Sequence, residues 1–168
     1  MHLSLRTTSS RGFTLIELLV VIAIIGILST VVLAALYIAR LKGADAAIKE
    51  DMHTIRNAME TYYDNNLNYG TVQADSPSPR STLPANGTIF NTDPNISQAL
   101  QSALNQGGYI RYAVGTGAST YAVAVKLKAD STNWRCIDSA NNIKLETDAY
   151  MSGAGAKIGA SGAAAVCP

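Results

Sequence analysis

The chain has 168 residues, enough for one folded domain with an appendage and short of what two independent cores need. Its 13 basic and 12 acidic side chains give a formal charge of +1, which excludes a polyanion partner held by bulk electrostatics. The apolar share of 48% is unevenly spread: residues 13 to 39 hold much of the strongly apolar material, and the rest is rich in Asn, Ser, Thr, Gly and Ala.

Arg6 and Arg11 precede the apolar run, and without them 11 basic residues face 12 acidic ones. No basic stripe of the kind a nucleic-acid binder needs is visible. Residues 18 to 39 give 22 uncharged positions. That exceeds the apolar region of a secretory signal, about 7–15 residues, and matches the roughly 20 that span a hydrocarbon core. A plain anchor explains the length but leaves Glu17 unexplained. A carboxylate inside such a run is by default a functional residue with a partner to be named.

The residues just before the run supply a context. Gly12-Phe13 places a small residue before a large apolar one, and "TLIE" follows. The stretch "RGFTLIELLVVIAIIGIL" resembles the class III signal of type IV prepilins and type II secretion pseudopilins. The resemblance implies cleavage between Gly12 and Phe13 by a prepilin peptidase, which also methylates the new amino terminus on Phe13. It further implies that Glu17 pairs with the amino terminus of a neighbouring subunit during assembly. Burying that charge without a partner costs several kcal/mol, so a neighbour's amine would select register. The contact is head-to-tail, the kind that builds open helical filaments.

Two features depart from the pattern. Many members of the family carry a proline near residue 34, whereas "GILSTVVLAALY" has Ala34, and Gly26 with Ser29-Thr30 are the only weak points of the helix. Arg40, Lys42, Lys49 and Arg56 after the run outnumber the two arginines before it, so the positive-inside rule alone favours an inward C-terminal domain. The leader resemblance and the paired cysteines place that domain outside.

Helical periodicity continues beyond the membrane-grade segment. Ile48, Met52, Ile55, Met59 and Tyr62 form one apolar stripe, so one helix from about Phe13 to Asn65 is predicted, near 80 Å long at ~1.5 Å per residue. "DNNLNYGTVQADSPSPRSTLPANGT" reads as a loop exposed on a filament surface. Asn86-Gly87-Thr88 and Asn95-Ile96-Ser97 match the glycosylation sequon, a weak signal in each case. Asp93 as N-cap, Pro94 at the first position and Gly107 as stop frame a short helix whose buried edge carries Ile96, Leu100 and Leu104.

"YIRYAVG", "STYAVAVKLKA", "NWRCID" and "NIKLE" then read as strands. Tyr121, Val123, Val125 and Leu127 share one face of the second, and Ala122, Ala124, Lys126 and Lys128 the other. Cys136 and Cys167 belong to no metal-binding spacing; in an exported domain they read as one disulfide, with two buried free thiols as the alternative. His2 and His53 are isolated, and no catalytic triad, phosphate loop or zinc spacing is present. Asp130, Asp138 and Asp148 match no calcium loop and read as solvated turns.

The expectation is an α+β, pilin-like fold: a long N-terminal helix packed on a small antiparallel sheet. Its boundaries are a cleaved leader over 1–12, a transmembrane and filament-core half over 13–39, an amphipathic half over 40–66 and a globular head over 67–168. No enzyme activity, metal or other cofactor is expected. The resemblance implies a filament subunit serving adhesion, motility or DNA uptake, whose partners are copies of itself and other pilins, the prepilin peptidase, an inner-membrane assembly platform and membrane lipid. A type II secretion pseudopilin is the alternative within the family. A signal-anchored extracytoplasmic binding domain is the alternative outside it. The precursor would sit in the inner membrane as a single pass before joining an extracellular pilus or periplasmic pseudopilus.

Overall fold

Helix α1 runs from Leu15 to Asn66, one residue past the predicted end, without interruption at Gly26, Ser29 or Thr30. Thr30 turns its hydroxyl back onto the Ile27 carbonyl at 2.7 Å, which removes its polar group from the apolar surroundings. The computed structural model describes residues 12–73, 79–84, 87–147 and 165–167. The leader before Gly12, Asn86, Asp148 and most of the Gly/Ala-rich tail lie outside the described residues. The chain divides into two compact units, residues 1–39 and 40–168.

In the first unit every described side chain from Gly12 to Ala39 is exposed. Among the described residues, α1 is the helix long and apolar enough to cross a membrane. Nothing in the unit itself covers these side chains.

The second unit is built around a four-stranded antiparallel meander. The strands are β1 (Ile110–Val114), β2 (Tyr121–Lys126), β3 (Asn133–Asp138) and β4 (Ile143–Thr147), in spatial order β1-β2-β3-β4. Val123 faces Tyr112 on one side and Ile137 on the other, so the apolar alternation of three strands falls on a single face. The α1 stripe packs into that core: Ile48, Met52, Ile55 and Met59 are all buried, joined by Ile96, Leu100 and Leu104 of α3 (Pro94–Gly107). Tyr62, the last residue of the predicted stripe, is half-buried against the same cluster.

Asp93 caps α3, accepting from the backbone N–H groups of Asn95 at 2.9 Å and Ile96 at 3.1 Å. The helix stops one residue later than expected. Gly107 is its last residue, where a Cβ would collide with the Lys126 carbonyl oxygen, and Gly108 takes the left-handed cap at φ 84°. The two glycines therefore have separate tasks, close approach to β2 and reversal of the chain.

A one-turn helix, α2 (Ile89–Thr92), directly follows the long loop after α1 and buries Ile89 and Phe90. Two described residues of the loop pair with the sheet. Gln73 and Arg80 each form a reciprocal pair of backbone bonds with β1, to Val114 and Ile110 respectively. These bridges cover part of an edge that would otherwise invite pairing with another chain. From the helix side, Asp45 accepts from the backbone N–H groups of Lys128 and Ala129, tying the β2–β3 turn to α1.

The opposite face of the sheet departs from expectation. Ala122 and Ala124 lie beneath a second, smaller core with Ala113, Trp134, Cys136, Ala165 and Cys167. Lys126 and Lys128 give that face a polar reading in the sequence. The covering segment comes from the chain terminus, joined by the Cys136–Cys167 disulfide, with Cα atoms 5.9 Å apart.

Candidate functional site

Gly12, Phe13 and Thr14 precede the first helical residue, so the Gly12–Phe13 peptide bond lies outside the helix and both residues are exposed. Phe13 is 82% exposed. A bond in non-helical, uncovered chain is one a peptidase can bind in extended form, because no helical hydrogen bond must first be broken.

Thr14 and Glu17 begin the helix as a reciprocal cap. The Thr14 backbone N–H donates to Glu17 Oε2 at 2.9 Å and its hydroxyl donates to the same oxygen at 2.7 Å. In return, the Glu17 backbone N–H donates to Thr14 Oγ1 at 3.3 Å. This is a capping box, which satisfies backbone donors that the first helical turn leaves without partners. It also puts a carboxylate at the positive end of the helix dipole, where negative charge is stabilised. Oε1 of Glu17 takes part in none of these bonds. Thr14 is the residue that reasoning from the apolar context misses; its signal is the T-x-x-E spacing itself.

The head contributes a second constellation, and it is structural. Buried Asp138 accepts at Oδ1 from the backbone N–H groups of Ala140 and Asn142, both at 3.0 Å. Its Oδ2 accepts from Asn142 Nδ2 and from the Cys167 backbone N–H, both at 2.9 Å. One carboxylate thus holds the β3–β4 turn and seats the disulfide-bonded terminus. Asp130 sits at the other end of β3, bonded to Thr132 and Asn133 in the turn it shapes. The two acids are therefore held at opposite strand ends. Among the described residues no cluster of three or more His, Cys, Asp or Glu side chains converges to hold a metal, and His53 is exposed on α1.

An exposed apolar helix with an acid in its first turn, followed in the chain by a small antiparallel sheet closed by a disulfide, is the architecture of a pilin-like protein. The comparisons agree with that class. Residues 7–33 match the family model for the prokaryotic N-terminal methylation motif. The chain is 33% identical to the type IV wide pilus major component PilA4 of Thermus thermophilus over 67% of its own length and 87% of that protein. It is 29% identical to the type IV major pilin protein PilE1 of Neisseria gonorrhoeae, over 87% of its length and 79% of that protein. It is also 32% identical to the type II secretion system core protein G of Escherichia coli, over 55% and 65% respectively. No solved structure matches at a significant level. The chain belongs to the type IV pilin family, in the broad sense that includes the secretion pseudopilins. Members of that family are structural subunits and not enzymes.

Proposed function

We propose that this protein is the structural subunit of a type IV pilus-like filament, cut between Gly12 and Phe13, N-methylated on Phe13, and assembled through Glu17. The observation that carries the reading is the capping box. It fixes the side chain of Glu17 on the first turn of α1 and uses only one of its carboxylate oxygens, Oε2. Cleavage would create a positive amine at Phe13, one turn away, so each subunit would present both a donor and an acceptor at the same depth. A geometry in which the amine of one copy reaches the Glu17 of the next gives a head-to-tail contact that propagates. The exposed apolar surface of α1 would lie in lipid in the precursor, with residues 40–168 outside, and against neighbouring helices in the filament. The prepilin peptidase and an inner-membrane platform are the partners this route requires.

Mass spectrometry of the mature chain tests the processing. A methylated Phe13 terminus is expected, and a chain that retains Met1 overturns the reading. Imaging tests the assembly: surface filaments should disappear in Glu17→Ala while membrane insertion persists. The likeness to the secretion core protein G supports a second reading, a short periplasmic pseudopilus. Loss of protein secretion with no surface filaments in the wild type would select it.

A further inference from the structure

Helix α1 carries a second stripe beside the buried one. Thr54, Ala58, Thr61 and Asn65 follow one another at spacings of four, three and four, so they share one face. Across from them runs α3, whose own buried edge, Ile96 and Leu100, turns into the core. The small side chains of the α1 stripe leave a groove between the two helices. Its larger part, beside the first turn of α3, has a volume of about 490 Å³. A second part of about 280 Å³ continues along α3 and shares Thr54 and Asn95 with the first. The larger part falls within the roughly 300–1,000 Å³ of small-molecule sites.

The lining offers hydrogen bonds of both kinds and almost no charge. Carboxamides come from Asn57, Asn65, Asn66, Asn95 and Gln98, and hydroxyls from Thr54, Thr61 and Ser102. Among the described residues that line it there is no lysine, arginine or histidine. Asn65 and Asn66 donate their side-chain nitrogens to the carbonyls of Thr61 and Tyr62, both at 2.9 Å, and the Thr61 hydroxyl donates to the Asn57 carbonyl at 2.8 Å. These three side chains are thereby held in place with acceptor oxygens left over. Among the described residues, the side chains of Thr54, Asn57, Asn95 and Gln98 make no hydrogen bond with the chain.

Two acids also line the groove. Asp93 is engaged in capping α3. Asp51 lies in the second part, where Ser102 bonds its carboxylate while Oδ2 is shielded from solvent and has no partner among the described residues. Burial holds this carboxyl above its ordinary value, against the Ser102 bond and with Glu50 adding to the rise. A buried acceptor without a donor is destabilising. A ligand hydroxyl supplies the donor without bringing charge.

We propose that this groove binds a neutral saccharide of one or two rings. A carboxamide accepts at its oxygen and donates at its nitrogen, which matches a pair of adjacent sugar hydroxyls. Ala58, Ala99 and the half-buried Tyr62 give the apolar patches that the C–H face of a sugar ring needs. A phosphate or carboxylate ligand finds no cation here. Both walls belong to the second unit, so the site does not depend on how the chain assembles.

The full-length chain in lauryldimethylamine oxide, a detergent with no sugar head group, tests this by ligand-observed saturation-transfer NMR. The probes are lactose, maltose and chitobiose, with tetraglycine as a competing chemistry. At least one of the sugars should receive saturation. Thr54→Trp places an indole where the two parts of the groove join and should abolish the transfer. His53→Trp, at the neighbouring exposed position outside the lining, should leave it unchanged. Asn57→Ala removes one carboxamide and should weaken binding by about fivefold or more. No transfer to any of the three sugars, or transfer to tetraglycine alone, overturns the proposal. So does binding that survives Thr54→Trp, or that His53→Trp removes as well.

Discussion

Thr14 and Glu17 show how one carboxylate can serve two states. Alone, Glu17 satisfies the first turn of its own helix through Oε2; in the proposed filament its other oxygen receives a neighbour's amine. Glu17→Gln separates the roles, since its carbonyl oxygen can still accept from Thr14 but carries no charge. The variant should insert into the membrane as well as the wild type or better, and filaments counted by electron microscopy should fall by an order of magnitude or more. Tyr121 is a residue-scale case of the opposite kind. It is fully buried, and among the described residues its hydroxyl has no hydrogen-bond partner. Burial, then the charge of Glu60 and the neighbouring Tyr69, push its phenol well above the ordinary value, opposed only in part by Arg56. The folded state therefore keeps its proton where the unfolded chain would lose it, above about pH 10. Stability contributed by this group is present below that pH and falls as pH rises through it. Tyr121→Phe should leave stability at pH 7 unchanged or raise it by about 1 kcal/mol. It should also flatten the alkaline limb of the denaturation profile; a steeper limb in the variant would refute the assignment.

At the scale of elements, the α3–β2 junction depends on two adjacent glycines with different tasks, and substitution distinguishes them. Gly107→Ala forces a Cβ into the Lys126 carbonyl, where backbone and not a flexible side chain must yield, and should cost about 2–3 kcal/mol. Gly108→Ala meets open space and suffers only from its positive φ, about 1–2 kcal/mol. Urea denaturation of both variants checks the order. The sequence carries the existence of this helix plainly, through Asp93, Pro94 and the spacing of Ile96, Leu100 and Leu104. It does not carry the division of labour at Gly107-Gly108, because close approach depends on where β2 lies. The same limit explains the long loop. The stripe Ile48, Met52, Ile55 and Met59 is legible because a helix buries one face at a fixed period. The bridges from Gln73 and Arg80 to β1 are single pairs with no period at all. The capping box is legible in the T-x-x-E spacing, whereas hydropathy alone marks only the charge of Glu17.

Across the whole molecule, the two faces of the sheet are buried by unrelated parts of the chain. One is covered by α1 and α3, elements that sequence periodicity identifies. The other is covered by residues near the C-terminus, and only the cysteine pair hints at it. Ala122 and Ala124 look like the outer half of an amphipathic strand until a segment from far along the chain arrives to cover them. That cover has little apolar surface of its own, so the crosslink and Asp138 do much of what a larger core would do. Both anchors act on Cys167, one through its sulfur and one through its backbone N–H. Reducing the disulfide should therefore release the cover without dismantling the α1-facing core. Closing a loop with a sequence separation of 31 residues is worth roughly 3.5 kcal/mol in chain entropy. The midpoint of thermal unfolding should drop by about 10 °C on reduction. Trp134, the single tryptophan of the chain, lies wholly buried in the small core and reports locally. Its emission should shift to the red on reduction at a temperature where the far-ultraviolet circular dichroism is unchanged. A simultaneous loss of both signals would mean instead that the two faces fold as one unit. Asp138→Ala should produce a weaker form of the same shift with the disulfide intact, because the loosened terminus remains tethered by sulfur while its backbone anchor is gone.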